Sequence, residues 1–173
     1  MKKQSIISKG ILFLTVTSLI LWLGSYIIRN IVIYQLFEPI NLDLRSIYNE
    51  QNLIAVFNII LPLITFNLVT YISFILFFIM FLLSTKIRLK NEGWLFISTI
   101  IILITMPFET YLSVYDYKIA NMIVRHNAIV TDIVNLIRER ITKLSSFSFI
   151  EFFSYLAIVF LTLFKPFRKV NEA

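Results

Sequence analysis

The sequence predicts an all-α polytopic membrane protein: four transmembrane helices with an extracytoplasmic amphipathic helix. Three observations carry that expectation. Of the 173 residues, 58% are apolar and 15% charged, against about 45–50% and about 25% in soluble domains. The mean hydropathy is +0.84, which excludes both an ordinary soluble globule and a disordered chain. Four apolar runs are each long enough for about 30 Å of hydrocarbon, a distance that about 20 helical residues cover. In lipid every backbone polar group must be paired within the segment, and these runs are too long for barrel strands, so helix is the solution. The whole chain, 1–173, reads as a single membrane domain.

The first span, about 10–28, has Lys2, Lys3 and Lys9 before it and Arg29 after it. Leu23, Gly24 and Ser25 lead directly into Tyr26, a poor cleavage site, so the segment reads as a retained signal anchor. The second run, 53–84, carries no charge and would reach about 48 Å as a helix. Its span is placed at about 64–84. Residues 53–63 then project beyond the outer face or lie along it, with Pro62 at the break; strong tilt is the alternative. The third span, about 94–114, is interrupted by Pro107 and Glu109. The fourth, about 148–164, is closed by Lys165, Arg168 and Lys169, and Ser148 and Glu151 have the spacing of a capping box at its start.

Orientation follows from the placement of lysine and arginine. Lys2, Lys3, Lys9, Lys86, Arg88, Lys90, Lys165, Arg168 and Lys169 fall on one side, against only Glu92 and Glu172. On the other side Arg29, Arg45, Lys118, Arg125, Arg138, Arg140 and Lys143 are matched by Glu38, Asp43, Glu50, Glu109, Asp116, Asp132 and Glu139. Both termini are therefore expected in the cytoplasm. Ile, Phe and Asn are plentiful and Gly scarce, the bias of an AT-rich coding sequence. A bacterial cytoplasmic (inner) membrane is the expected location.

The extracytoplasmic helix is placed at about 116–144. Ile119, Ile123, Val130, Ile133, Ile137 and Leu144, with Met122 alongside, recur at spacings of three and four and so share a face. His126 lies in the same seam, and Asn121, Arg125, Asp132, Asn135, Glu139 and Lys143 lie opposite. A seam of this kind wants a partner helix. The partner is the chain's own surface, such as 53–63, the membrane interface, or another protein. His126 is either a packing histidine or a pH-sensitive one, since its charge changes near neutrality.

Polar residues in the spans are the remaining candidates. Glu109 lies about 22 Å along the helix from Trp94. Inside the hydrocarbon it needs a partner, a proton or a wetted cavity, and Pro107 frees a carbonyl at a similar depth. If the span ends early, Glu109 sits among headgroups, with Tyr111, Tyr115 and Tyr117 forming the aromatic belt. On the second run Asn58, Thr65, Thr70 and Ser73 share one side with Pro62, and Asn67 points elsewhere. Such a stripe either hydrogen-bonds neighbouring helices, at about 0.6 kcal/mol each, or lines a pathway.

The chain has no cysteine and one histidine, which excludes disulfides, thiolate sites and multi-histidine metal centres. No phosphate loop, nucleophile elbow or dinucleotide fingerprint is present. No enzyme activity, cofactor or metal is expected. The basic balance reports orientation rather than nucleic-acid binding.

The expected function is therefore non-catalytic: helix-mediated binding to another membrane protein through faces such as Ile123, Val130, Ile133 and Ile137. The protein would then be a subunit of a larger complex or a protector against a bacteriocin. The length, the four spans and the inside termini resemble immunity proteins of the colicin A type, as does the character of the tail from Leu163 to Lys169. The resemblance is one of architecture and involves no sequence motif. It implies a partner that is an inserting toxin helix. The alternative is a small transporter or channel subunit in which Glu109, Asn58 and Thr65 converge on a hydrated cavity.

Overall fold

The computed structural model of the protein describes residues 6–85, 92–125, 129–145 and 147–167. Five helices follow in order: α1 (Ile6–Tyr34), α2 (Glu50–Ser84), α3 (Gly93–Arg125), α4 (Val130–Thr142) and α5 (Phe147–Phe164). All regular structure among the described residues is helical, and α1, α2, α3 and α5 are long and apolar enough to cross a membrane. It is a multi-pass membrane protein.

The long helices exceed the thickness of a bilayer. At 35 and 33 residues, α2 and α3 extend about 50 Å, well beyond the hydrocarbon thickness. Helix α2 runs unbroken through Pro62, so the expected break there does not occur. Residues 53–63 instead extend the same rod, held by packing along their inner face. The rod starts at a capping box: Asn49 Oδ1 accepts from the Asn52 amide at 2.9 Å, and Asn52 Oδ1 accepts from the Asn49 amide at 2.8 Å.

Two ends can be told apart. Ile11, Leu12, Phe81, Trp94, Leu95 and Leu161 pack together at one of them, where the Lys165 ammonium lies 5.7 Å from the Trp94 ring. The first and last described residues therefore lie on the same side, here the termini end. The opposite, loop end carries the 35–49 connection and α4.

Besides α2, helix α3 has two further antiparallel partners in succession. Along its first two thirds it faces α5: the Thr105 and Tyr155 hydroxyls meet at 2.9 Å, the Phe108 and Phe147 rings at 4.7 Å. The Gly93 amide donates to Phe167 O at 3.3 Å. Beyond the start of α5, α4 takes over. The sequence reading of one helix over 116–144 is thus corrected: α3 ends at Arg125, and the chain reverses into α4. Val130 to Thr142 is amphipathic because a single buried stripe of Ile133, Val134, Ile137 and Ile141 suffices to cover the end of α3.

Apolar residues of α1, α2, α3 and α4 close the loop end around Ile33, Phe37, Phe57, Ile64, Ile119 and Ile137. Between the two ends, Trp22 is the hub of an aromatic plug. Its ring lies 4.6 Å from Tyr155, 5.5 Å from Tyr71 and 6.3 Å from Phe74.

Candidate functional site

Each of the five helices sends at least one polar side chain to a site that water does not reach, between the aromatic plug and the loop-end core. Arg29 comes from α1, Asn67 from α2, Glu109 and Asp116 from α3, Arg140 from α4 and Glu151 from α5. None is more than 3% exposed.

Asp116 is the centre. Arg140 Nε donates to its Oδ1 at 2.6 Å, and Arg29 Nη1 pairs with its Oδ2. The same Arg29 nitrogen donates to Asn67 Oδ1 at 2.7 Å, and Asn67 Nδ2 passes the chain on to Ser25 Oγ at 2.9 Å. The Ser25 hydroxyl ends it on Trp22 O. The Arg29 guanidinium also stacks on Tyr26, 5.1 Å from the ring centroid. One carboxylate is thus shared by two guanidinium groups, and their attraction to it works against the desolvation of all three.

Burial is the largest influence on Arg140 and acts to lower its pKa, but Asp116 and Glu109, with Tyr26, together outweigh it and leave the group above its ordinary value. Its contribution to stability is in place below the pKa of an unfolded arginine and is lost only as pH rises through the folded value. Arg140 therefore stays charged at any physiological pH.

Glu109 and Glu151 form a second part of the site. They stand against each other across α3 and α5, and both Arg29 and Arg140 act on Glu109 electrostatically. Neither carboxyl meets a donor in standard hydrogen-bond geometry. Nor do Arg29 Nε, Arg29 Nη2 and Arg140 Nη2 meet an acceptor. Two arginines and three acids share one enclosed compartment.

Several sequence expectations change here. Glu109 is fully enclosed by protein. Ser148 and Glu151 form no capping box. Helix α5 already begins at Phe147, and Glu151 turns into the bundle, with its oxygens bonded to no backbone amide. Asn58 and Thr65 are exposed on the outer face of α2, and Thr65 returns its hydroxyl to Leu61 O at 2.9 Å. They do not join Glu109. The inward polar residues of α2 are Asn67 and Thr70.

The seam of the expected outer helix is divided between α3 and α4 and closes on itself. Ile123, Ile133 and Ile137 are buried in the loop-end core, Val130 packs at its edge, and Leu53, Phe57 and Ile60 of α2 complete it. That face is consequently not free for another protein. His126 lies outside the described residues.

Arg29, Asn67, Asp116, Arg140 and Glu151 were not singled out from sequence as a site. On α3, however, the buried residues Ile102, Thr105, Glu109, Leu112, Asp116, Ile119 and Ile123 follow at alternate spacings of three and four. The two acids stand in register with the apolar seam, and that was the available signal.

Other concavities are of a different kind. A cleft of about 350 Å³ in the 35–49 connection is lined by Tyr34, Phe37, Glu38, Leu42 and Arg45. Among the spans, a cavity of about 20 Å³ is bounded by Leu19, Phe74, Phe81, Trp94 and Ile158, room for about one water molecule. No known protein family, curated protein or solved structure matches the chain.

Proposed function

We propose that the protein is a non-catalytic component of a bacterial cytoplasmic membrane that acts by packing a helix face against a helix of another membrane protein. Both termini lie in the cytoplasm in this reading, because the lysine- and arginine-rich segments belong to the termini end, and α4 is extracytoplasmic. The partner is a subunit of a shared complex or the inserting helix of a pore-forming toxin.

The observation that carries the reading is the placement of α5. It is the least buried of the four spans and packs on α3 and, more lightly, α1. Its outer flank presents Phe149 at 73% exposure, Phe153 at 63% and Leu163 at 70%, with Phe160 between them. Large aromatic side chains offer wide, stiff surfaces for a second helix. The interior, by contrast, is filled by the Trp22–Phe74–Tyr155 plug, which favours action at the outer surface over passage through the bundle.

Site-specific photocross-linking in native membranes tests this. A photoreactive group at Phe153 or Phe160 is expected to capture one discrete protein band, and a group at Ile72 on the outer face of α2 is not. Capture of lipid alone from both α5 positions would overturn the reading.

A further inference from the structure

The Glu109–Glu151 pair carries an inference about what the buried compartment binds. Both carboxyls are fully enclosed, they face each other, and neither accepts a hydrogen bond from a neighbouring donor in standard geometry. Two ionised carboxylates at close range in a low-dielectric site repel strongly, and such pairs do not both ionise. An O–H on one of them would supply the donor that the other lacks.

Charge balance points the same way. Arg29 and Arg140 contribute two positive charges. Asp116, Glu109 and Glu151 would contribute three negative ones. Asp116 is committed to the two guanidinium groups, so the surplus falls on the glutamate pair. A net charge enclosed in a membrane-embedded site is costly, and one monovalent cation removes it.

We propose that Glu109 and Glu151 together form a binding site for a single exchangeable proton, held as a carboxyl–carboxylate pair. On binding, one carboxylate oxygen gains the proton and donates to the opposing carboxylate; the enclosed charges then sum to zero. On release, the O–H bond breaks, both groups are carboxylates, and the compartment carries one uncompensated negative charge.

The groups facing the pair come from every helix. Tyr26 and Arg29 are on α1, Tyr71 on α2, Asp116 on α3, Arg140 on α4 and Tyr155 on α5. Exchange is expected from the loop end, because Glu151 lies about 6 Å into α5 from its first residue. The Tyr26 hydroxyl, beside both Glu151 and Ser148, is placed to relay the proton. This site stands independently of the partner proposed for α5.

Infrared spectroscopy of the full chain in phosphatidylcholine vesicles provides the test. At neutral pH the wild type is expected to show the deuterium-sensitive C=O stretch of about one protonated carboxyl per chain. The band disappears reversibly at alkaline pH. Glu109→Gln and Glu151→Gln should each abolish it, because one amide leaves two acids facing two arginines. If either variant fails to fold, the titration of the wild-type band still decides. A wild type without the band at neutral pH would overturn the proposal. So would a band that persists in both variants, or one that responds to sodium at fixed pH in place of pH itself.

Discussion

Arg140 donates its Nε–H to Asp116 Oδ1 across 2.6 Å, fastening the short connecting helix to the far end of α3. The other carboxylate oxygen is taken by Arg29, so Asp116 bridges two guanidinium groups. Removing it leaves both buried and facing each other. Asp116→Asn is expected to cost about 3–5 kcal/mol, the range for breaking a buried pair from one side. Arg140→Gln should cost less, since Arg29 and Asp116 remain together. Unfolding by added denaturing detergent in mixed micelles would measure both. Equal losses would show that the two arginines do not share this carboxylate.

Asn67 and Thr65 lie on opposite sides of the same stretch of α2. Asn67 accepts from Arg29 and donates to Ser25 in the closed interior. Thr65 is exposed and bonds only its own helix, at Leu61 O and Pro62 O. Asn67→Ala therefore strips an acceptor from a buried guanidinium and should destabilise by about 1–3 kcal/mol. Thr65→Ala is expected to stay within about 0.5 kcal/mol of the wild type. The same unfolding titration distinguishes them, and a larger loss at Thr65 would reverse the assigned faces.

The loop-end core makes a similar contrast between Ile137 and Val124. Ile137 is 1% exposed, and Val124, on the outer side of α3, is 59% exposed. Ile137→Ala opens a cavity where α3 and α4 meet and is expected to cost about 2–5 kcal/mol. Val124→Ala should be close to neutral. If Ile137→Ala were neutral in the isolated protein, the seam would not be closed on itself, and an outside partner for it would return.

The four spans were legible because lipid imposes a length and an apolar composition that leave a direct trace in the sequence. The enclosed ionic site was less so, for a reason visible in Arg29, Asp116 and Arg140. Each stands at or beyond the end of an apolar run, where a charge ordinarily marks the water boundary. The helices are longer than a membrane is thick, however, and these three positions are buried within the bundle. The seams held the correction. On α2 the buried residues Leu53, Phe57, Ile60, Ile64, Asn67, Tyr71, Phe74, Phe78 and Phe81 alternate at spacings of four and three, placing Asn67, not Asn58 or Thr65, on the inner face. The same logic puts Glu151 with Tyr155 and Ile158. A Ser-x-x-Glu motif says nothing of which face its glutamate occupies, whereas Asn49 and Asn52 form the capping box actually used.

The closure of the termini end can be tested covalently. Gly93, the first residue of α3, donates to Phe167 O, and a Cβ built on Gly93 would lie 2.8 Å from the Phe167 Cβ. Disulfide-bonded residues keep their Cβ atoms about 3.5–4.5 Å apart, so a shift of about 1 Å suffices to bridge these positions. The chain has no cysteine of its own, and any bridge must therefore come from introduced residues. The double variant Gly93→Cys with Phe167→Cys is expected to oxidise readily within one chain and migrate as a compact monomer on non-reducing gels. Gly93→Cys with Phe149→Cys should not, because Phe149 sits at the other end of α5. Bridging in that control pair, or none in the first, would show that α3 and α5 do not run antiparallel in this register.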